Sequence, residues 1–258
     1  MENVPASDHR KVTLAQFTAQ AAPFAALPAH ELAVAFVIEA AGIGPESVVL
    51  DVACGPGIVA CEIAAVARQV TGLDLTPAML EGARQRQAAK GLRNVAWVAG
   101  EAEALPFADG AFSQVVTRYS FHHLLRPAAA LREMVRVCRP GGRVVVVDAV
   151  VPADKSAGYD AFERLRDPSH VHALDPDAMR ALFRDAGLHL EREGGYEVPI
   201  ELEAQLAVSF PERGGAERLR AMLRADVGVD ATGLAPRQAD GKLVYRYPIR
   251  IFVGRRDA

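Results

Sequence analysis

From Ser47 onward the chain alternates two hydrophobic rhythms. Short β-branched runs, apolar at nearly every position, are separated by stretches in which apolar residues recur every three or four positions. The runs are SVVLDV (47–52), QVTGLD (69–74), NVAWVAG (94–100), FSQVVTRYS (112–120) and GGRVVVVDAV (141–150), and helical segments begin at Ile58, Pro77 and Pro127. Near-continuous apolar strands alternating with helices predict an α/β protein whose mostly parallel sheet is covered on both faces. The boundaries carry matching signals. Thr76 can cap a helix that has Pro77 in its first turn, and Gly91 can end it. RPGG (139–142) turns the helix before it into a strand.

The flanks read differently. Residues 12–44 are Ala-rich and helical, broken at Pro23 and Pro28. Residues 175–188 predict a helix capped by Asp175, and 189–200 and 242–256 predict the last two strands. Residues 151–174 and 201–242 interrupt this order, and the turn-rich GVDATGLAPRQADGK (228–242) is expected to be mobile. The chain therefore divides into a helical segment (1–44), a core (45–150), and the rest of the core with two insertions (151–258).

Composition narrows the partners. The 258 residues are 50% hydrophobic, enough for a full core, and the net charge of −3 gives no basic field for a phosphate backbone. Arg132, Arg136, Arg139 and Arg143 read as a solvated helix face rather than a nucleic-acid patch. The three cysteines, Cys54, Cys61 and Cys138, include no CxxC pair, which argues against a disulfide framework or a zinc site. No run approaches about 18 apolar residues and the N-terminus has no apolar leader, so a cytoplasmic protein without an integral membrane segment is expected.

The most informative stretch is VVLDVACGPGIVACEIA (48–64). Gly55, Gly57 and Ala60 form G-x-G-x-x-A with Asp74 ending the next strand, as in a dinucleotide site. An ordinary tight turn is the bland alternative. Two residues disfavour a pyrophosphate: the charge of Asp51 would repel it, and Pro56 removes an N–H donor. A cationic, phosphate-free cofactor reverses that preference. S-adenosylmethionine offers an ammonium and a sulfonium to Asp51, close backbone approach at Gly55 and Gly57, and two ribose hydroxyls to Asp74.

VLDVACGPG (49–57), GLDLTPAML (72–80), GEAEALPFADGAFSQVV (100–116), SFHHL (120–124) and RPGGRVVVVD (139–148) stand in the order and spacing of class I S-adenosylmethionine-dependent methyltransferases. The chain most resembles their small-molecule group, which includes the quinone-biosynthesis C-methyltransferases, over about residues 17–187. The resemblance implies a Rossmann-like seven-stranded sheet with an antiparallel last strand and a helical lid. It implies a cofactor cover at 1–44 and acceptor-lid insertions at 151–174 and 201–242. It implies S-adenosylmethionine as cofactor, with S-adenosylhomocysteine as product. Asp51, Ala53, Gly55 and Gly57 would line the methionine and ribose; Asp74, Leu75 and Met79 would hold ribose and flank adenine. Glu101 and Ala102 fall at the adenine edge, where the family usually has Asp, so Glu101 needs a different reach. Arg118 and Ser120 would stand where cofactor and acceptor meet, and Phe17, Gln20 and Phe24 would fold over the cofactor.

In-line methyl transfer needs alignment, exclusion of water, and a base when the acceptor is a phenol or enol. His122 and His123, after the fourth strand, and His170, in the lid segment, are the candidates, with packing as the alternative role for each. His170 and His172 are spaced i, i+2 with no completing acidic or Cys cluster, so no metal is expected. Tyr159, Phe162, Leu165, Phe210, Met222 and Leu223 fit an apolar or aromatic small-molecule acceptor, or simply lid core, and no cysteine after Cys138 supports arsenite chemistry. A cyclase or isomerase retaining the cofactor, a nicotinamide oxidoreductase, and a non-catalytic cofactor-binding subunit are the competing readings.

Overall fold

The structure, a computed structural model, describes residues 6–25 and 34–257, the side chains of 22–25 excepted. Two helices, α1 (Ala6–Ala25) and α2 (Val34–Ala41), precede the core. There follow β1 (Val48–Val52), α3 (Ile58–Ala64), β2 (Gln69–Asp74), α4 (Pro77–Ala89), β3 (Val95–Ala99) and β4 (Phe112–Arg118). A 3-10 turn at Phe121–His123 leads to α5 (Pro127–Val137) and β5 (Cys138–Ala149). The C-terminal part holds α6 (Ser156–Arg166), α7 (Pro176–Asp185), β6 (Leu188–Glu201), α8 (Leu202–Leu206), α9 (Gly215–Asp226), β7 (Arg237–Ala239) and β8 (Lys242–Arg256).

The strands lie in the order β3-β2-β1-β4-β5-β8-β6, with the three-residue β7 paired to β8 beside this path. β1 to β5 are parallel; β8 runs antiparallel to both β5 and β6. The expected seven strands and antiparallel last strand are present, and β7 is an addition.

Strand alternation divides the core. Val49, Val70, Val116, Val145 and Val147 face one side of the sheet, with α2, α3 and the lid helices α6 and α9. Leu50, Val52, Leu73, Val115, Val144 and Val146 face the other, with α5 and α7. Because successive side chains point to opposite faces, a strand buried on both must be apolar throughout, which is why VVVV reads as a continuous run.

Several local expectations change. α1 begins at Ala6, inside the polar start, and continues past Pro23 to Ala25; Pro28 lies outside the described residues. Thr76 is the N-cap of α4, but its side chain makes no capping bond; Asp74 Oδ1 instead accepts from its N–H at 2.8 Å. The loop 228–242 is tied down rather than loose. Asp226 accepts from the backbone N–H of Ala231 and Thr232 and from the Thr232 hydroxyl; Asp230 accepts from Ala235 N–H and pairs with Lys155.

Gly57 also changes role. Its φ is +74°, and a Cβ there would stand 2.7 Å from Trp97 Cη2 and 3.0 Å from Ala83 Cβ. Glycine is required for the contact of the β1–α3 turn with β3 and α4. Gly57→Ala is expected to cost about 2–4 kcal/mol, from left-handed strain plus overpacking. A denaturation midpoint equal to wild type would contradict this.

Candidate active site

One cavity of about 470 Å³ opens at the carboxyl ends of the parallel strands. In an open α/β sheet this is the edge where ligands bind, because helices cover the faces and the strand ends leave a crevice. The wall comprises Asp51 and Ala53 after β1, Asp74 and Leu75 after β2, Glu101 and Ala102 after β3, and Arg118 to Ser120 after β4. α1 closes it with His9, Phe17 and Gln20, and the lid adds Tyr159, Glu163, Arg166, Val198 and Tyr247.

The first half of the cavity carries two buried carboxylates, Asp51 and Asp74. Asp51 is 1% exposed, and among the described residues its Oδ2 has no hydrogen-bond partner. Burial drives its pKa from 3.8 up to about 7, against the opposing charge of Arg118. Asp74 Oδ2 accepts from Gly55 N–H at 2.8 Å, so the β1 turn is clamped to the end of β2. Gly55 adopts φ +52°, and the nearest atom to a Cβ placed there is Met79 Sδ at 4.0 Å, which leaves open space for a ligand edge. Ala53 (φ 55°) and Tyr119 (φ 59°) are non-glycine residues held in the left-handed region at the ends of β1 and β4, a kind of strain that collects at functional sites. The Arg118 guanidinium lies 4.8 Å from the centre of the Tyr119 ring.

The second half is a buried polar network under the lid. Asp148, at the end of β5, accepts from the N–H groups of Ser120 (3.1 Å) and Phe121 (2.6 Å) and pairs with His122 Nδ1. Burial disfavours both charged forms here. The attraction and hydrogen bond between the partners outweigh it, so the Asp148 pKa falls and the His122 pKa rises. Among the described residues nothing pairs with His122 Nε2, and His122 forms part of the cavity wall. His123 also lines the cavity, but burial and the neighbouring His122 charge lower its pKa to about 3. Its Nδ1 lies 3.1 Å from both Ser169 O and Ser169 Oγ, and Phe17 meets its ring edge-on at 4.9 Å.

The sequence-derived residues mostly converge. Phe17, Gln20, Asp51, Ala53, Gly55, Asp74, Leu75, Met79, Glu101, Ala102, Arg118, Ser120, His122 and His123 all line the one cavity. Gln20 does so while its amide donates to Asp167 at 2.9 Å, and Glu101 is paired with Arg10 of α1 at 2.8 Å. Gly57 is not in the wall, for the packing reason given above. His170 is not in it either: its side chain is fully buried, and its Nε2 pairs with Asp160 Oδ1 at 2.7 Å. Asp160 also receives His172 Nδ1 at 2.7 Å and the N–H of Ala173, so it organises the segment between α6 and α7. The side chain of Phe24 lies outside the described residues.

Sequence reasoning passes over Asp148, Glu163, Arg166 and Tyr247, and over His9, whose Nε2 lies 2.8 Å from His123 O. Asp148 has a visible signal: it ends its strand as Asp51 and Asp74 end theirs. Among the described residues no group of three or more His, Cys, Asp or Glu is arranged to hold a metal, and no helix is long and apolar enough to cross a membrane.

Residues 50–146 match the family described as a methyltransferase domain. The chain is 33% identical over 181 residues to the uncharacterised methyltransferase YcgJ of Bacillus subtilis, covering 69% of this chain and 70% of that protein. It is 31% identical over 172 residues to the ubiquinone/menaquinone biosynthesis C-methyltransferase UbiE of Pseudomonas putida, covering 64% and 67%. Among solved structures, a proposed methyltransferase of Bacillus halodurans superposes with a TM-score of 0.81 at 26% identity, covering 87% of this chain and 99% of that one.

Proposed function

The chain belongs to the methyltransferase-domain family of class I methyltransferases, and from that premise we propose that it transfers a methyl group from S-adenosylmethionine to a small, largely apolar or aromatic acceptor. The observation that carries the choice of cofactor is Asp51. A buried carboxylate oxygen without a partner, in the wall of a cavity, calls for a cation. The cofactor's ammonium satisfies it, and a phosphate would not. Asp74, held at the end of β2 by the N–H groups of Gly55 and Thr76, is the carboxylate that would meet the ribose hydroxyls. Gly55 leaves room for a nucleoside edge, Leu75 and Met79 would flank the adenine, and Glu101 with Ala102 would meet its rim.

When bound, S-adenosylmethionine supplies a methyl group on a positively charged sulfur, a leaving group that needs no protonation. The protein's own work is to align and to move a proton. α1 and the lid exclude water, which strengthens every charge interaction inside. His122 takes the acceptor proton at Nε2; Asp148 holds Nδ1 and thereby fixes the ring. His123 stays neutral and orients α1 against the lid segment through Ser169 and Phe17.

The test uses the whole protein, S-adenosylmethionine labelled in the methyl group, and an extract of small metabolites. A labelled small product, formed mole for mole with S-adenosylhomocysteine, is expected. A product isomeric with its substrate and carrying no label would instead identify a cyclase or isomerase that keeps the cofactor intact.

A further inference from the structure

Glu163 and Arg166, three residues apart on α6, form an ion pair inside the cavity wall, with side chains only 2% and 12% exposed. Burying such a pair carries a large desolvation cost, met only when the remaining donors and acceptors are used. The carboxylate is fully used. Arg166 Nε lies 3.1 and 3.0 Å from its two oxygens, Arg166 Nη2 lies 2.5 Å from Oε2, and the Tyr247 hydroxyl donates to Oε1 at 2.8 Å. The guanidinium is not. Among the described residues nothing accepts from Nη1, and Arg166 forms part of the cavity wall. Glu163 and Tyr247 thus fix the plane of Arg166 from one edge and leave two N–H groups on the other. The pair stands with Tyr159, Val198, Ile200 and Val208, an apolar lining with one convergent donor group, the usual construction of a site that orients a small molecule. His122 feels the charges of both Glu163 and Arg166, so this anchor is close to the base.

We propose that the Nη1 edge of Arg166, held in place by Glu163 and Tyr247, binds an anionic oxygen of the acceptor: a carboxylate, enolate or phenolate. The inference deepens the methyltransferase reading and rests on it. It disfavours purely hydrocarbon acceptors and cationic amines, because the acids beside Arg166 are already engaged, Glu163 by Arg166 and Tyr247 and Asp167 by Gln20 and Ser169.

The probes are 2-naphthoate and naphthalene, titrated by calorimetry into the full chain in the presence of S-adenosylhomocysteine. Wild type should bind the naphthoate at least about tenfold more tightly, as for one hydrogen bond to a charged group. Arg166→Met should bring the ratio to within about twofold. Because that variant leaves Glu163 unpaired, Glu163→Gln/Arg166→Met, which removes both charges, provides a second measurement and should behave the same way. S-adenosylhomocysteine affinity, read in the same titrations, should change less than twofold in both variants. Equal binding of the two probes by wild type, or preference retained in the double variant, would overturn the proposal. Failure of wild type to bind S-adenosylhomocysteine would instead count against the methyltransferase reading, and the probe ratio would still report on Arg166.

Discussion

Asp51→Asn is expected to weaken S-adenosylmethionine binding by roughly 10- to 150-fold, the range for losing one charged hydrogen bond, while the fold is kept. The substitution conserves shape and removes only the charge that faces the cofactor's ammonium. Its pH dependence separates it from a general loss of structure. Burial raises the Asp51 pKa from 3.8 to about 7, so below about pH 7 the empty site holds a proton that a bound cation must displace. Wild-type affinity should therefore rise with pH up to about 7 and then level, whereas the variant should show no such slope. Stability runs in the opposite direction. A carboxyl whose folded pKa is raised contributes fully below its unfolded pKa and loses that contribution as pH climbs through the folded one. The empty variant should accordingly melt above wild type at pH 8 and together with it below about pH 4. Isothermal titration and thermal melts at several pH values measure both effects. Wild-type affinity with an unchanged slope would remove Asp51 from the cofactor site.

His122→Ala is expected to lower turnover about 10²- to 10⁴-fold, the usual contribution of a positioned base, with cofactor affinity unchanged. Asp148 supplies the more discriminating variant. It favours the protonated form of His122 and raises its pKa above 6.5, so wild-type turnover should rise with pH along a limb displaced upward from the ordinary histidine value. Asp148→Asn removes the charge that stabilises the imidazolium. The limb should then move to lower pH, and the plateau rate should fall because the ring is no longer fixed. A pH–rate profile of the two proteins checks this. A limb that stays in place would mean that Asp148 only ties the 3-10 turn to β5 through the N–H groups of Ser120 and Phe121.

The residues legible in the sequence are those whose role is settled by their immediate neighbours. Asp51, Gly55 and Asp74 each sit at or just past the end of a β-branched run, where the chain must turn and where the sheet edge opens. Met79 and Glu101 follow at short range from the next helix and strand. Gly57 is legible as a glycine but not for its reason, because Trp97 and Ala83 reach it from other elements. His170 is misplaced by sequence alone because nothing local says which way a loop side chain turns; Asp160, ten residues earlier, takes it into the lid core. The loop 228–242 reads as loose because turn residues mark bends and do not report the carboxylates, Asp226 and Asp230, that fasten them.

The sequence by itself determined the α/β architecture, the order of the strands along the chain, and the residues that end β1 and β2 in the cavity wall. Those features follow from a two-residue strand period, a 3.6-residue helix period and glycines at turns, all of which act over a few residues. Tertiary structure alone decided the buried polar network under the lid. Glu163 of α6 meets Tyr247 of β8 across 84 positions of sequence, and His122 meets Asp148 across 26. These groups come together only because β5 lies between β4 and β8 in the sheet and the lid packs over its edge. A charge buried at such a junction is held by partners that no local pattern can name, and so its surroundings become readable only once the sheet has closed.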